Sequence, residues 1–225
     1  MLFPWEKNRI EKLRRLNRDN EALIKELKIE GITENNILQA IKKVPREIFV
    51  KQQFLNQAYK NIALPIDCEQ TISQPFIVAY MIACLNLKKT DRVLEIGTGT
   101  GYQTAILSHL CQEVCTIEIH DNLLNKAKKK IEKLNLKNII FKLGNGTEGW
   151  QNKALFDAII ISAASEIIPV KLLENLKHQG GCLIMPKKNP SGNQKLLLVK
   201  KNNESYLEKE LLNVKFVPLL NKNIK

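Results

Sequence analysis

The stretch from Val93 to Gln103 holds glycines at 97, 99 and 101, separated by single residues, directly after an apolar run (Val93, Leu94, Ile96) broken only by Glu95. A strand that hands over through a glycine turn to a helix aims backbone N–H groups and the positive end of the helix dipole at a nucleotide-like ligand. A second apolar run, Val114 to Ile117, ends in Glu118, where a carboxylate can accept hydrogen bonds from both hydroxyls of a ribose. The dinucleotide fingerprint requires its third glycine three residues after the second, and position 102 is Tyr. Any tight turn recruits glycine, so it is the agreement of loop, strand and acid that carries the cofactor reading. Upstream, in Thr71-Ile72-Ser73-Gln74-Pro75, the Ser73 hydroxyl can donate to a carboxylate or order a water, or cap a helix that begins near Pro75.

The elements that position these residues follow from periodicity. Leu23, Ile24 and Leu27 mark one helix stopped by Gly31, and Thr33 is placed to cap a second helix with apolar positions Ile37, Leu38 and Ile41, ended by Val44-Pro45. Residues 52–75 lack periodicity and are expected to lie extended over the core. From 76 helices alternate with strands: strands at 92–96, 113–118, 138–142, 156–162 and 182–185, helices at 76–87, 101–111 and 121–134, and another opened by Pro169 and closed by Gly180-Gly181. Strands at 195–200 and 213–217 complete the sheet. The fold class is α/β: a doubly wound, mostly parallel seven-stranded sheet with an N-terminal helical extension. One domain covers 1–225, with a helical and extended cover over 1–75, a cofactor-binding core over 76–186 and C-terminal strands over 187–225.

The 225 residues suffice to bury a core without metals or disulfides. The five cysteines (68, 84, 111, 115 and 182) are odd in number and several fall in apolar patterns, as buried thiols of a reducing cytoplasm do. Cys111 and Cys115 lack a second Cys or His pair at metal-site spacing, so no metal is expected. Glu6, Lys7, Arg9, Glu11 and Lys12 stand where a signal peptide would be apolar, and no apolar run reaches membrane-spanning length; a cytoplasmic reading without membrane partners follows. The net charge of +12 divides as +5 over residues 1–60, +1 over 61–185 and +6 over 186–225. The excess therefore avoids the cofactor-binding middle, the run Lys128, Lys129, Lys130, Lys133 fits a solvated helix face, and interleaved aromatics are scarce, which argues against a nucleic-acid partner.

The G-x-G-x-G spacing is similar to that of S-adenosylmethionine-dependent methyltransferases of the doubly wound type. The loop after the fourth strand, Ser162-Ala163-Ala164-Ser165, lacks the Asn or Asp followed by Pro-Pro and an aromatic with which base-amino methyltransferases hold an amine, and the chain has no Pro-Cys pair for carbon methylation. Its small residues leave room for a polypeptide backbone. Val44-Pro45-Arg46-Glu47-Ile48-Phe49-Val50, Leu64-Pro65-Ile66, Thr71 to Pro75, Glu95 to Gln103, Phe156-Asp157-Ala158-Ile159-Ile160 and Phe216-Val217-Pro218-Leu219 together resemble the protein-L-isoaspartate O-methyltransferase family, in order over nearly the whole chain.

That resemblance implies methyl transfer from S-adenosylmethionine to the α-carboxyl of L-isoaspartyl residues in damaged proteins and peptides, by a monomer. It places the active-site serine on Ser73, in an orienting role. It puts Glu95, Gly97, Thr98, Gly99 and Gly101 around the methionine and ribose, Glu118 on the ribose, and Gly144, Asn145 and Gly146 toward the adenine. Ile72, Ser73, Ala163, Phe216 and Val217 fall on the substrate side. Two departures stand out: Asn145 where the family more often has Asp, and Asp67-Cys68-Glu69 where it commonly has glycines. The alternatives are a methyltransferase acting on RNA or a small molecule, and a catalytically silent binding protein of the same fold.

Overall fold

The computed structural model describes residues 3–221. In chain order the helices are α1 (Pro4–Ile29), α2 (Asn35–Lys43), α3 (Pro75–Leu85), α4 (Tyr102–Ser108), α5 (Asp121–Lys133) and α6 (Val170–Glu174). The strands are β1 (Leu64–Pro65), β2 (Thr71–Ile72), β3 (Arg92–Ile96), β4 (Glu113–Glu118), β5 (Ile139–Leu143), β6 (Ala158–Ile161), β7 (Gln179–Lys188), β8 (Gln194–Asn202) and β9 (Ser205–Val214).

Strands apolar at successive positions need cover on both faces, and the chain supplies it. Val93, Val114, Ala158, Ile160 and Ile184 pack with α2, α3 and α4 on one face, whereas Leu94, Ile96, Cys115, Ile117, Ile159, Ile161 and Leu183 pack with Leu172 of α6 on the other. Cys111 and Cys115 are buried in these two different clusters. The sheet order is β5-β4-β3-β6-β7-β8-β9. Pairing is parallel from β5 through β7 and antiparallel for β7 with β8 and β8 with β9. The order reverses between β3 and β6, and in an open sheet the crevice beyond the carboxyl ends of the strands at such a reversal is where ligands bind.

Several boundaries differ from the sequence reading, each for a local reason. The cap of α2 is Glu34, not Thr33. Residues 52–75 carry a short 3-10 helix at Gln52–Gln57 and the antiparallel hairpin β1–β2, with Leu64 opposite Ile72 and Pro65 opposite Thr71. Helix α6 stops at Glu174, well before Gly180-Gly181, which belong to β7. The Lys201 ammonium donates to the carbonyls of Leu173 (2.9 Å) and Leu176 (3.3 Å), satisfying the helix end from another element. The last strand is β9, ten residues ending at Val214. Of the strand expected at 213–217, Asn213 and Val214 are the end of β9 and residues 215–217 leave the sheet: Gln194 brackets Phe216, accepting from its N–H (2.7 Å) and donating to its carbonyl (3.1 Å).

Candidate active site

The ladders of β3, β5 and β6 run one bond past the strand ends. Gly97 N–H donates to the Ile117 carbonyl (2.8 Å), Gly144 N–H to Glu118 (2.9 Å) and Ser162 N–H to Ile96 (2.9 Å), which fixes three loops over one crevice. In the first loop φ is +94° at Gly97, +56° at Gly99 and +90° at Gly101, values that side chains rarely adopt. Glu118, 5% exposed, accepts from Gly99 N–H (2.7 Å) and, through its other oxygen, from Ile119 N–H (2.9 Å) and His120 N–H (3.0 Å). The carboxylate thus locks the glycine loop to β4 while facing the cavity. At Gly146 a Cβ would stand 2.2 Å from Ile96 Cγ2, so only glycine lets the third loop approach so closely.

Beneath the loop lies Glu95, 0% exposed. Its Oε2 accepts from the Thr104 hydroxyl (2.5 Å) and the Thr116 hydroxyl (2.7 Å), and its Oε1 from Gln103 Nε2 (3.0 Å). Thr116 spends its proton on Glu95, so at 2.6 Å it accepts from the Thr98 hydroxyl. Burial pushes the Glu95 pKa up to about 7 from 4.5, against the three hydrogen bonds, which favour the charged form. The folded chain then holds this proton over a pH range in which the unfolded chain has released it, so stability falls as pH rises from about 4.5 to about 7. Glu95→Gln has no such titration. Urea melts across that range should show wild type losing stability relative to the variant as pH rises, and parallel curves would refute the assignment.

The opposite wall comes from the cover. Arg46, 0% exposed, donates to the carbonyls of Ala58 (2.6 Å), Lys60 (3.4 Å), Ile62 (3.0 Å) and Ser73 (3.1 Å), with its guanidinium over the Tyr102 ring at 5.5 Å. Helix α3 is capped by Gln74 without a side-chain bond, so Ser73 is not its cap, and among the described residues nothing pairs with the Ser73 hydroxyl. The carboxy-terminal segment closes the third side, with Ala164 N–H donating to Val217 (2.8 Å) and Leu219 N–H to Ala164 (2.7 Å).

These walls border a cavity of about 100 Å³ that opens to solvent at its mouth. Of the residues expected from sequence, Ile72, Ser73, Gly97, Thr98, Gly99, Glu118, Gly146, Ala163 and Val217 line this cavity. Glu95 sits underneath, while Gly101 packs its Cα side against Ala127, where a Cβ would lie at 3.3 Å. Gly144, Asn145 and Phe216 lie outside the lining. The Asn145 oxygen, expected to be an acceptor toward adenine, takes the N–H (3.0 Å) and hydroxyl (2.8 Å) of Thr147, and its amide donates to Asn221 (2.8 Å). The unexpected acids point elsewhere: Asp67 pairs with Lys126 (2.6 Å) and Lys51 (2.9 Å), which pull its pKa down to about 2, and the turn is made by Cys68 and Glu69, both at φ +57°. Sequence reasoning gave no role to Gln103 or His120, which line the cavity, or to Arg46, and read Ser162 only as a small residue leaving room; the signal for Arg46 and Gln103 was their presence inside the quoted motifs.

The reversed strand order, the glycine loop and the acid closing β4 define a Rossmann-like methyltransferase domain. Within that class, a family model described as protein-L-isoaspartate(D-aspartate) O-methyltransferase matches residues 17–224, and the chain belongs to that family. It is similar to protein-L-isoaspartate O-methyltransferases of Dictyoglomus turgidum (49% identical over 199 residues, 88% of this chain and 90% of the relative) and Parvibaculum lavamentivorans (46% over 200 residues, 88% and 90%). A solved protein-L-isoaspartate O-methyltransferase superposes with a TM-score of 0.83 at 30% identity over 90% of this chain and 66% of that longer one. A Plasmodium falciparum structure described as a putative member in complex with S-adenosyl-L-homocysteine has the same fold (TM-score 0.77, 24% identity, 89% and 98% covered).

Proposed function

We propose that this chain transfers a methyl group from S-adenosylmethionine to the α-carboxyl of L-isoaspartyl residues in damaged proteins and peptides. The observation that carries the reading is one cavity walled by the Gly97 to Gly101 loop and Glu118 on one side and by Ser73 and Val217 on the other, in a chain of this family. The residues suit a sulfonium nucleoside: Glu118 is an acceptor-only group at ribose height beside a positive-φ glycine loop, and His120 Nε2 on the same wall is buried without a partner among the described residues. When bound, the cofactor supplies a methyl carbon made electrophilic by the sulfonium.

The rest belongs to the chain. A substrate carboxylate, with a reference pKa of about 4, is ionised at neutral pH and needs no general base. Its oxygen forms the bond to the methyl carbon while the carbon–sulfur bond breaks, its electron pair passing to sulfur. The neighbouring amide nitrogen then bonds to the ester carbonyl carbon as the carbon–methoxy bond breaks, the methoxy group leaving with the amide proton as methanol, and water opens the succinimide that results. The protein's task is alignment and exclusion of water. Ser73 donates to the carboxylate, Ile72, Ala163, Phe216 and Val217 hold the peptide, the loop from Gly97 holds the methionine and Gly146 flanks the adenine. Gly144 and Asn145 support that wall from behind. We take the chain to act as a single-domain cytoplasmic monomer without nucleic-acid or membrane partners; among the described residues no helix is long and apolar enough to cross a membrane.

Labelled S-adenosylmethionine with an isoaspartyl peptide and its aspartyl twin tests the activity: a base-labile methyl ester on the first alone is expected, and label on both or neither refutes it. Ser73→Ala should lower kcat/KM for the isoaspartyl peptide about tenfold to a hundredfold, as loss of a hydrogen bond to a charged group does, with S-adenosylhomocysteine binding unchanged. Unaltered turnover would remove Ser73 from the site.

A further inference from the structure

We propose that the Ser162 hydroxyl is a second donor, with Ser73, to the carboxylate that accepts the methyl group, and that Gln103 is the positioning residue that sets its direction. The inference rests on the activity proposed above and adds a residue to it.

The direction follows from counting protons. In its ionised form Glu95 accepts on both oxygens, from two threonine hydroxyls and from Gln103 Nε2, so the amide nitrogen of Gln103 has to face it. The second N–H of the same nitrogen reaches Ser162 Oγ at 2.9 Å. Both Gln103 protons are then used, and Ser162 is an acceptor in this bond. Its own proton is left over, and among the described residues no acceptor takes it. The Ser162 backbone is held by its N–H on Ile96 (2.9 Å), and its Cβ lies 3.6 Å from where a Gly97 side chain would begin. Ser162, Gln103, Ser73 and Gly97 share one cavity wall system. The spare hydroxyl proton is thus offered at the seam between the glycine loop and the wall carrying Ser73, where a negative ligand group gains most from two donors.

Two carboxylates can reach that seam, the acceptor's and the one on the cofactor's methionine, and the experiment separates them. Kinetics with the isoaspartyl peptide at saturating S-adenosylmethionine, and S-adenosylhomocysteine binding by calorimetry, are measured for wild type, Ser162→Ala, Ser162→Thr and Gln103→Leu. The expected result is a peptide KM raised about tenfold in Ser162→Ala with S-adenosylhomocysteine affinity unchanged, and recovery in Ser162→Thr, which keeps the hydroxyl. Gln103→Leu should raise the peptide KM in wild type and add little in the Ser162→Ala background. Wild-type peptide kinetics in Ser162→Ala, or a deficit confined to S-adenosylhomocysteine affinity, would overturn the assignment while leaving the activity standing. A wild-type protein that methylates neither peptide would overturn both.

Discussion

Arg46→Met should lower the unfolding free energy by about 3–5 kcal/mol and cut kcat/KM for the isoaspartyl peptide about a hundredfold. The guanidinium is fully buried and has four backbone carbonyls as partners, from Ala58, Lys60, Ile62 and Ser73. Burial lowers its pKa, opposed by Tyr102 and Tyr59, and the charge is met by four carbonyl dipoles and the face of the Tyr102 ring. Methionine fills much of the volume but leaves the carbonyls of Ala58, Ile62 and Ser73 turned inward without a donor, whereas Lys60 keeps the Ile62 N–H (2.9 Å); each lost bond is about 1–3 kcal/mol if the carbonyl stays dry. Part of that loss is recovered, because a buried charge is itself expensive and the segment 58–73 can open to water. Opening has a functional consequence: the Ser73 carbonyl is one of the four, so the segment that carries the proposed serine loses its tether. Arg46→Lys keeps the charge but offers one nitrogen to carbonyls spread along the segment, and should recover less than half of the stability. Stability close to wild type in Arg46→Met, by urea melts, would mean that the cover is held chiefly by its apolar contacts.

How far the molecule could be read from its sequence depends on how local each signal is. Strands β3 and β4 fall at 92–96 and 113–118 as expected because a parallel strand buried on both faces must be apolar at successive positions, a pattern visible within five or six residues. Strand β9 is a different case. Its side chains are mostly exposed and include Glu208, Lys209 and Glu210, and the edge is set by pairing with β8, not by apolar content. Nothing in the run from Ser205 to Val214 distinguishes it from a solvated loop until its partner is known. The site divides in the same way. The glycine loop and Glu118 are separated by about twenty residues and carry their own geometry. The Gln103 to Ser162 bond joins positions 59 apart, and the Ser73 tether runs to Arg46 27 residues earlier. The first exists only once the sheet has brought β3 and β6 together, and the second only once the cover has folded back on itself. Asn145 is a local case: its residue type allows adenine recognition, while its oxygen here takes the Thr147 N–H and hydroxyl, a turn two residues long.

Glu118→Ala should weaken S-adenosylhomocysteine binding about a hundredfold, or about 2.7 kcal/mol, more than any other single change in the cavity. Two losses combine. The carboxylate is the proposed acceptor for the ribose hydroxyls, and charge-assisted bonds of that kind are about twice as strong as neutral ones. It is also the partner of the Gly99, Ile119 and His120 N–H groups, so alanine leaves three donors at the cavity wall and frees the glycine loop from β4. Glu118→Gln separates the two. The amide keeps one oxygen for part of this network but turns an NH2 group toward backbone donors, so its binding should fall between wild type and alanine. The charge also reaches Glu95, whose pKa is raised first by burial and lastly by Glu118, so both variants should lower the pH at which the Glu95 titration appears in stability curves. Calorimetry with S-adenosylhomocysteine decides the main point. An unchanged affinity in Glu118→Ala would show that the acid serves the loop alone, and that the nucleoside is held by backbone groups and by shape.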